Sequence, residues 1–298
     1  MQSNEPSQSV QPILGDHRAW PSRPSTTHIP YGLSLNAGEL LTRTWSVWRA
    51  DVLRLTGITA IPYVLMAVVG AVAGSLAVAS GIDIDIEHLE DSGPVIGLAI
   101  GGGVGLCISI VLSFIAAQAG TFLVVEERLR GEARGISVVG AILSGLSALL
   151  PMMGAWLVVG AVVCVALVPA AMVGIAAVSM DSWALGGAAA LLLFPVGIVG
   201  FVASLRLFAI GPVVVTEDVG PIASIRRSLE LTRGKLGDVF VAFLVFGAVM
   251  FAVNLVTGIL GFIPVVGMLV QLAVGIVVGS LQSVYVYLVY GALRDQQG

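Results

Sequence analysis

The sequence predicts an all-α, polytopic membrane protein with six transmembrane helices and about three interfacial amphipathic helices. Of the 298 residues, 57% are hydrophobic and only 11% are charged, against about 25% charged in an ordinary soluble domain. Long stretches carry no charge, and the basic residues cluster in every second one of the segments that separate these stretches. This composition excludes a soluble enzyme and a disordered chain, and the net charge of −4 leaves no basic surface for nucleic acid.

A bilayer-spanning helix needs about 20 apolar residues, and runs of this length divide the chain. The predicted membrane domain covers residues 35–294, and its spans cover 55–80, 94–125, 151–180, 183–212, 239–260 and 264–291. The uncharged stretch 136–180 is too long for one span, so we assign 136–149 to a short interfacial helix. Residues 1–34, rich in Ser, Pro, Gln and Thr, predict a disordered cytoplasmic tail. Residues 295–298 predict a second cytoplasmic tail.

The basic residues predict the orientation. With six spans, all 14 Lys and Arg residues fall on one side of the membrane. The opposite side receives segment 81–93, which carries five acidic residues and no basic one. The positive-inside rule makes the basic side cytoplasmic, so we expect both termini in the cytoplasm. Aromatic residues near the predicted inner ends of the first and last spans, namely Trp45, Trp48, Tyr285, Tyr287 and Tyr290, suit an aromatic belt.

Short segments at 38–54, 135–150 and 222–238 each precede a pair of predicted spans. Three units of one interfacial helix and one helical hairpin explain this spacing, and chance similarity among apolar helices is the alternative. The third segment is the best formed, because Pro221 suits a helix N-terminus and the segment carries three arginines. Either these arginines fix the topology and bind headgroups unspecifically, or they form a specific site for an anionic lipid or a partner protein.

Residues 205–237 carry a distinctive order of residue types. The residues of this motif are Arg206, Pro212, Val213 to Val215, Glu217, Gly220-Pro221, Arg226-Arg227-Ser228-Leu229 and Leu231-Thr232-Arg233-Gly234. This stretch resembles the signature region of the bacterial glycerophosphoryl diester phosphodiesterase membrane-domain family and of YciC-like inner-membrane proteins, with Leu229 in place of a frequent Trp. The resemblance implies a multi-span protein of the bacterial inner membrane. The catalytic barrel that some relatives carry is not expected here, because its His-Arg-Gly opening and metal ligands have no counterpart.

The sequence predicts no catalytic, metal-binding or cofactor-binding residues and hence no enzyme, because the six predicted span cores hold no carboxylate or histidine. Candidate lipid or partner contacts are Arg206, Glu217, Arg226, Arg227 and Arg233. For Arg206 three interpretations stay open: snorkelling to the interface, pairing with Glu217 or Asp218, and binding of a lipid phosphate. Gly97, Gly101 and Gly105, spaced four apart, are candidates for close helix packing within the chain or between protomers.

The favoured hypothesis is a non-enzymatic membrane module that organises lipid or partner proteins through its cytoplasmic amphipathic helices. Its expected partners are the bilayer with its anionic headgroups, a membrane protein or a second copy of the chain. The alternative is a transporter or lipid-handling protein with a cavity between hairpins. Such a cavity would be lined by neutral polar residues such as Gln118, Asn254 and Gln271. Buried carboxylates, which ion-coupled transporters use, are not expected in the spans.

Overall fold

A computed structural model describes residues 31–79, 93–131, 137–180, 182–260, 263 and 266–297. Their regular structure is helical throughout. The helices are α1 (Ala37–Ala50), α2 (Val52–Ala79), α3 (Gly93–Leu129), α4 (Val138–Ser147), α5 (Leu149–Ser179), α6 (Trp183–Leu207), α7 (Ile210–Glu217), α8 (Pro221–Leu231), α9 (Leu236–Leu260) and α10 (Val266–Asp295). Most of the predicted N-terminal tail and most of the acidic segment 81–93 lie outside the described residues.

Six stretches are long and apolar enough to cross a membrane. They are Val52–Val72, Ile108–Leu129, Leu149–Ser179, Gly186–Glu217, Leu236–Leu260 and Leu269–Asp295. The all-α class and the six membrane-spanning helices are therefore confirmed, and the protein is an integral membrane protein. The bounds differ from the predicted ones mainly at the second and fourth spans.

The fourth predicted span, 183–212, is two helices in the structure. α6 ends at Leu207, a turn follows, and α7 begins at Ile210. Pro212 lies in the first turn of α7, where its missing N–H costs no helical hydrogen bond. Gly211 allows close packing, since a Cβ there would lie 2.9 Å from Cε2 of Phe122 on α3. The break is thus a packing feature that run length alone does not reveal.

The second predicted span ended at residue 125, but α3 continues to Leu129. Glu126 and Glu127 lie inside this helix, and they are only 7% and 8% exposed. Arg130 forms an ion pair with Glu126. Burial lowers the pKa of the Arg130 guanidinium, but the carboxylate of Glu126 and the Tyr31 hydroxyl outweigh this effect, so that pKa is raised. Two buried carboxylates therefore lie in the last turn of α3, in residues that the sequence placed just outside the second predicted span.

The order of a short helix followed by two long helices occurs three times among the described residues: α1–α2–α3, α4–α5–α6 and α8–α9–α10, with α7 extending the second unit. Each short helix packs mainly on the hairpin of the unit before it. α4 packs on α2 and α3, α8 packs on α5 and α6, and α1 closes the ring on α9 and α10. Such a cyclic exchange follows from a threefold-repeated unit, whereas chance similarity among apolar helices does not require it.

The core lies at the C-terminal ends of the three units. It consists of the C-terminal part of α3, the whole of α7 and the C-terminal part of α10, which contact one another. Residues 210–216 and 283–293 are all buried, and the rings of Phe122 and Tyr287 lie 5.9 Å apart between α3 and α10. We call this end of the bundle the basic end, since antiparallel spans bring every described Arg and Lys to it.

Candidate interfacial lipid and partner site

α8 lies on the basic end and carries two of the five candidate contact residues, Arg226 and Arg227, and Arg233 lies in the turn that follows it. It begins at Pro221 after the extended residue Gly220 and ends at Leu231. Ser224, Ser228 and Leu231 are buried against the bundle. The packing face is therefore built from two small hydroxyl side chains and Leu231, while Ile222 and Leu229 are exposed. This leaves apolar side chains of α8 exposed beside its arginines.

Two close contacts hold α8 on the preceding hairpin. The Ser228 hydroxyl donates a hydrogen bond of 2.6 Å to the backbone carbonyl of Arg206 at the end of α6. On the other side, a Cβ at Gly154 of α5 would lie 2.8 Å from Cγ of Pro221. The sequence analysis missed both Ser228 and Gly154. The available signal was the spacing of small polar residues at 224, 228 and 232.

Glu217 connects three helices at the end of α7. Its carboxylate accepts a hydrogen bond of 3.0 Å from the Tyr290 hydroxyl of α10 and lies 3.3 Å from Nε of Arg227 on α8. The Tyr290 hydroxyl also lies 2.9 Å from Oγ1 of Thr216. Charge-assisted hydrogen bonds are among the stronger ones in proteins. Glu217 and Arg227 are thus brought together and tie α7, α8 and α10 into one unit.

Tyr290 belongs to a group of tyrosines that the sequence assigned to an aromatic belt. Tyr285, Tyr287 and Tyr290 are instead completely buried. The Tyr285 hydroxyl donates a hydrogen bond of 2.6 Å to the carbonyl of Ala242 on α9. The belt interpretation is wrong for these three residues, because each lies within the core. Trp45 is exposed and keeps a position suited to the interface.

Arg226 on α8 and Arg233 in the turn after it are exposed, and the described part of the chain provides no ion pair for either. α1 presents the same arrangement with Arg43 and Arg49, which flank the exposed Trp45. α8 adds the exposed apolar side chain of Ile222. Both helices therefore show cationic and apolar groups on one surface, which is the composition of helices that lie in a membrane interface.

α4 differs from α1 and α8, although it occupies the corresponding place in its unit. It has no charged residue, and it exposes Val139, Leu143 and Leu146. Its outer face suits acyl chains more than headgroups. The candidate lipid site therefore involves two of the three short helices.

Arg206 lies at the end of α6, partly exposed. Within the described residues it forms no ion pair with Glu217 or Asp218, and its Nε is buried without a hydrogen-bond partner. The pairing interpretation is therefore not what the structure shows. Snorkelling and phosphate binding are the two interpretations that fit this position.

Of the three candidate packing glycines, only Gly105 has described surroundings, and it does not lie at a close approach between helices. The surroundings of Gly97 and Gly101 lie outside the described residues, and a Cβ at Gly105 would meet nothing within 4 Å. The close approach is between α3 and α4. There, a Cβ at Gly120 would lie 2.9 Å from the carbonyl oxygen of Ala141, and a Cβ at Gly145 would collide with the carbonyl of Ala116. Small residues four apart on both helices were the missed signal.

Two of the polar residues on which the transporter alternative depends are exposed, and Gln118 on α3 is half-buried. Asn254 is exposed, and its amide donates a hydrogen bond of 2.8 Å to Met250 of its own helix. Gln271 is also exposed, on α10. A groove of about 270 Å³ between α2, α3 and α4 is lined by apolar residues such as Ile61 and Leu146 and by Ser113. In the described part of the chain, no three His, Cys, Asp or Glu side chains come together so that they could hold a metal ion.

Comparison with known proteins finds no matching family model, no matching curated protein and no matching solved structure. The resemblance of residues 205–237 therefore depends on those residues alone. In the structure they form the end of α6, α7 and α8. This segment therefore contains α7, which belongs to the core, and next to it along the chain α8, which belongs to the exposed cationic surface.

Proposed function

We propose that this integral membrane protein is a non-enzymatic module of the bacterial cytoplasmic membrane that organises anionic lipids through α1 and α8. The observation that carries the proposal is the pair of exposed cationic surfaces at the basic end. Arg43, Arg49, Arg226 and Arg233 lie there beside Trp45 and Ile222. Each Lys or Arg near an anionic membrane surface contributes about 1 kcal/mol of attraction, so four of them select anionic lipids measurably.

The test is lipid selectivity of the full chain in liposomes, measured by electron spin resonance with spin-labelled phosphatidylglycerol or phosphatidylcholine. The protein should immobilise more phosphatidylglycerol than phosphatidylcholine, and salt should reduce the difference. A quadruple variant with Arg→Gln at positions 43, 49, 226 and 233 should lose most of the selectivity. The matched quadruple Arg→Lys variant should keep it, because the charge remains.

Equal immobilisation of the two lipids by the unchanged protein would contradict the proposal. Selectivity that survives in the Arg→Gln variant would contradict it as well, and would leave an acidic protein partner as the better occupant of this surface.

The proposed orientation has its own test. A membrane-impermeant maleimide added outside intact spheroplasts should label Ile86→Cys and should not label Ser46→Cys on α1. Both variants are made without Cys107 and Cys164. Labelling of the α1 position from outside would reverse the orientation and would place the cationic surfaces on the wrong leaflet.

A further inference from the structure

One nitrogen of the partly exposed Arg206 guanidinium lacks a hydrogen-bond partner. Its Nε is buried without a hydrogen-bond partner in the described structure. Glu217 is the nearest carboxylate along the chain, and it is already bound by Arg227 and Tyr290. Arginine does not deprotonate in proteins, and an unsatisfied charged donor is costly. An anion from outside the chain would satisfy it, and the partial exposure of Arg206 gives such an anion access.

Arg206 lies near the end of α6, on the basic end of the bundle. α6 ends one residue later, at Leu207. The backbone of Arg206 is hydrogen-bonded to Ser228 of α8, whose exposed side carries the arginines of the interfacial surface. A side chain at the level of an interfacial helix lies at the depth of the lipid phosphates.

Below Arg206, the same face of α6 is apolar and open. Val202 and Val199 lie four and seven residues before Arg206, on the same side of the helix. They are 39% and 67% exposed. A molecule that places an anionic group at Arg206 can therefore place an acyl chain along this stripe.

The neighbouring helix α9 borders this position. Two edge-to-face ring contacts join it to the end of α6, between Phe201 and Phe240 at 6.0 Å and between Phe208 and Phe243 at 5.0 Å. They lie before and after Arg206 along the chain. α9 therefore packs against the chain just before and just after the position of Arg206.

We propose that Arg206 binds the phosphate of a single phospholipid, whose acyl chain lies along Val202 and Val199. The planar guanidinium can bind two phosphate oxygens at once. Because the contact is to the phosphate and not to the net charge, zwitterionic and anionic phospholipids both bind. This inference deepens the proposed function and rests on it for the lipid-facing orientation of α8, but it concerns one stoichiometric site and not the diffuse attraction of α1 and α8.

The test is native mass spectrometry of the full chain in detergent, titrated with dioleoyl phosphatidylcholine and with dioleoylglycerol, which lacks the phosphate. The unchanged protein should retain one phosphatidylcholine and should bind the diacylglycerol at least about tenfold more weakly, as expected for loss of a charge-assisted bidentate contact. Arg206→Gln should weaken phosphatidylcholine binding by a similar factor, and Arg206→Lys by less. The matched control Arg54→Gln, on α2 and outside both proposed lipid sites, should leave it unchanged.

A second variant blocks the acyl chain and leaves the guanidinium intact. Val202→Trp fills the stripe on α6 and should also weaken phosphatidylcholine binding. Unchanged helical circular dichroism identifies the folded variants, and either Arg206→Lys or Val202→Trp carries the test if Arg206→Gln does not fold. Equal affinity for diacylglycerol, or unchanged phosphatidylcholine binding in the folded Arg206 and Val202 variants, would overturn the proposal.

Two further arms separate the alternatives. Inorganic phosphate at millimolar concentration should not displace the lipid, and a site that holds inorganic phosphate but retains no lipid would overturn the lipid assignment. The quadruple Arg→Gln variant of α1 and α8 should still retain one phosphatidylcholine. If that variant loses its anionic selectivity as expected while Arg206→Gln has no effect on phosphatidylcholine, the single site fails and the proposed function stands.

Discussion

The core at the basic end and the hairpin α5–α6 are both strongly apolar, yet they are packed in opposite ways. In the spans of α3 and α10, 44% of the most apolar 18-residue stretch is buried. In the span of α5, and in the span that begins with α6, the buried share of that stretch is 6%. Since lipid tails are as apolar as leucine, hydrophobicity alone does not drive helices together in a bilayer. The packed region instead combines small residues, aromatic rings and buried hydroxyl groups. The difference teaches that close-fitting surfaces, more than hydropathy, decide which spans become the core.

The largest effect should come from removing a core ring. Phe122→Ala on α3 deletes a completely buried ring that contacts Tyr287 and Gly211. The expected loss in the free energy of unfolding is about 3 kcal/mol, from lost contacts and the resulting cavity. Phe194→Ala, at a side chain 71% exposed on α6, should cost less than about 0.5 kcal/mol. Unfolding by sodium dodecyl sulfate in mixed micelles, followed by near-ultraviolet circular dichroism, measures both. Equal losses would show that the hairpin is as tightly packed as the core.

A smaller effect should follow from adding one methyl group at the helix crossing. Gly145→Ala on α4 places a Cβ against the backbone carbonyl of Ala116, which cannot rotate away. We expect a destabilisation of about 2 kcal/mol, as for other overpacked sites. Gly197→Ala on α6, where a Cβ meets nothing within 4 Å, should be neutral or slightly stabilising because alanine favours helix. The same titration distinguishes them. A neutral Gly145→Ala would mean that α4 does not lie this close to α3.

The smallest effect should come from a single hydroxyl group. Tyr290→Phe removes the donor to Glu217 and the contact with Thr216, and should lower the unfolding free energy by about 1 kcal/mol. Ser204→Ala on α6 also deletes one hydroxyl, which bonds only the carbonyl of Phe201 in its own helix, and should change the stability by less than that. If the two substitutions have the same effect, the hydrogen bonds of Tyr290 do not contribute to the tie between α7, α8 and α10.

The number of spans and the helical class could be predicted because they depend on local properties, namely the length of apolar runs and the positions of charges. The burial of Tyr285 and Tyr290 could not, since a tyrosine near the end of a span has the same local signal in a belt and in a core. Their hydroxyl partners, Ala242 and Thr216, lie 43 and 74 residues away. No periodicity reports contacts at that separation.

The candidate site divides in the same manner. The exposed arginines of α8 were recognisable as a cationic surface, because charge beside an apolar segment is a local pattern. Arg227 pairs with Glu217 and Arg206 does not, because of the way α7 turns after α6. Glu126 resembled a loop residue in the sequence, because two successive carboxylates usually end a span. In each instance a partner on another helix changes the role of a residue whose sequence context is ordinary.

The ring of exchanged short helices has a consequence for how the protein is made. α1 precedes the six described spans along the chain, yet its packing partners are α9 and α10, which come last among them. Trp48 and Ser280, which join these elements by a hydrogen bond of 2.8 Å, are 232 residues apart in the chain. Until that hairpin is inserted, α1 has only the membrane surface to cover its apolar side. We therefore expect α1 to lie on the membrane surface, held by its arginines and its exposed tryptophan, until it packs against α9 and α10.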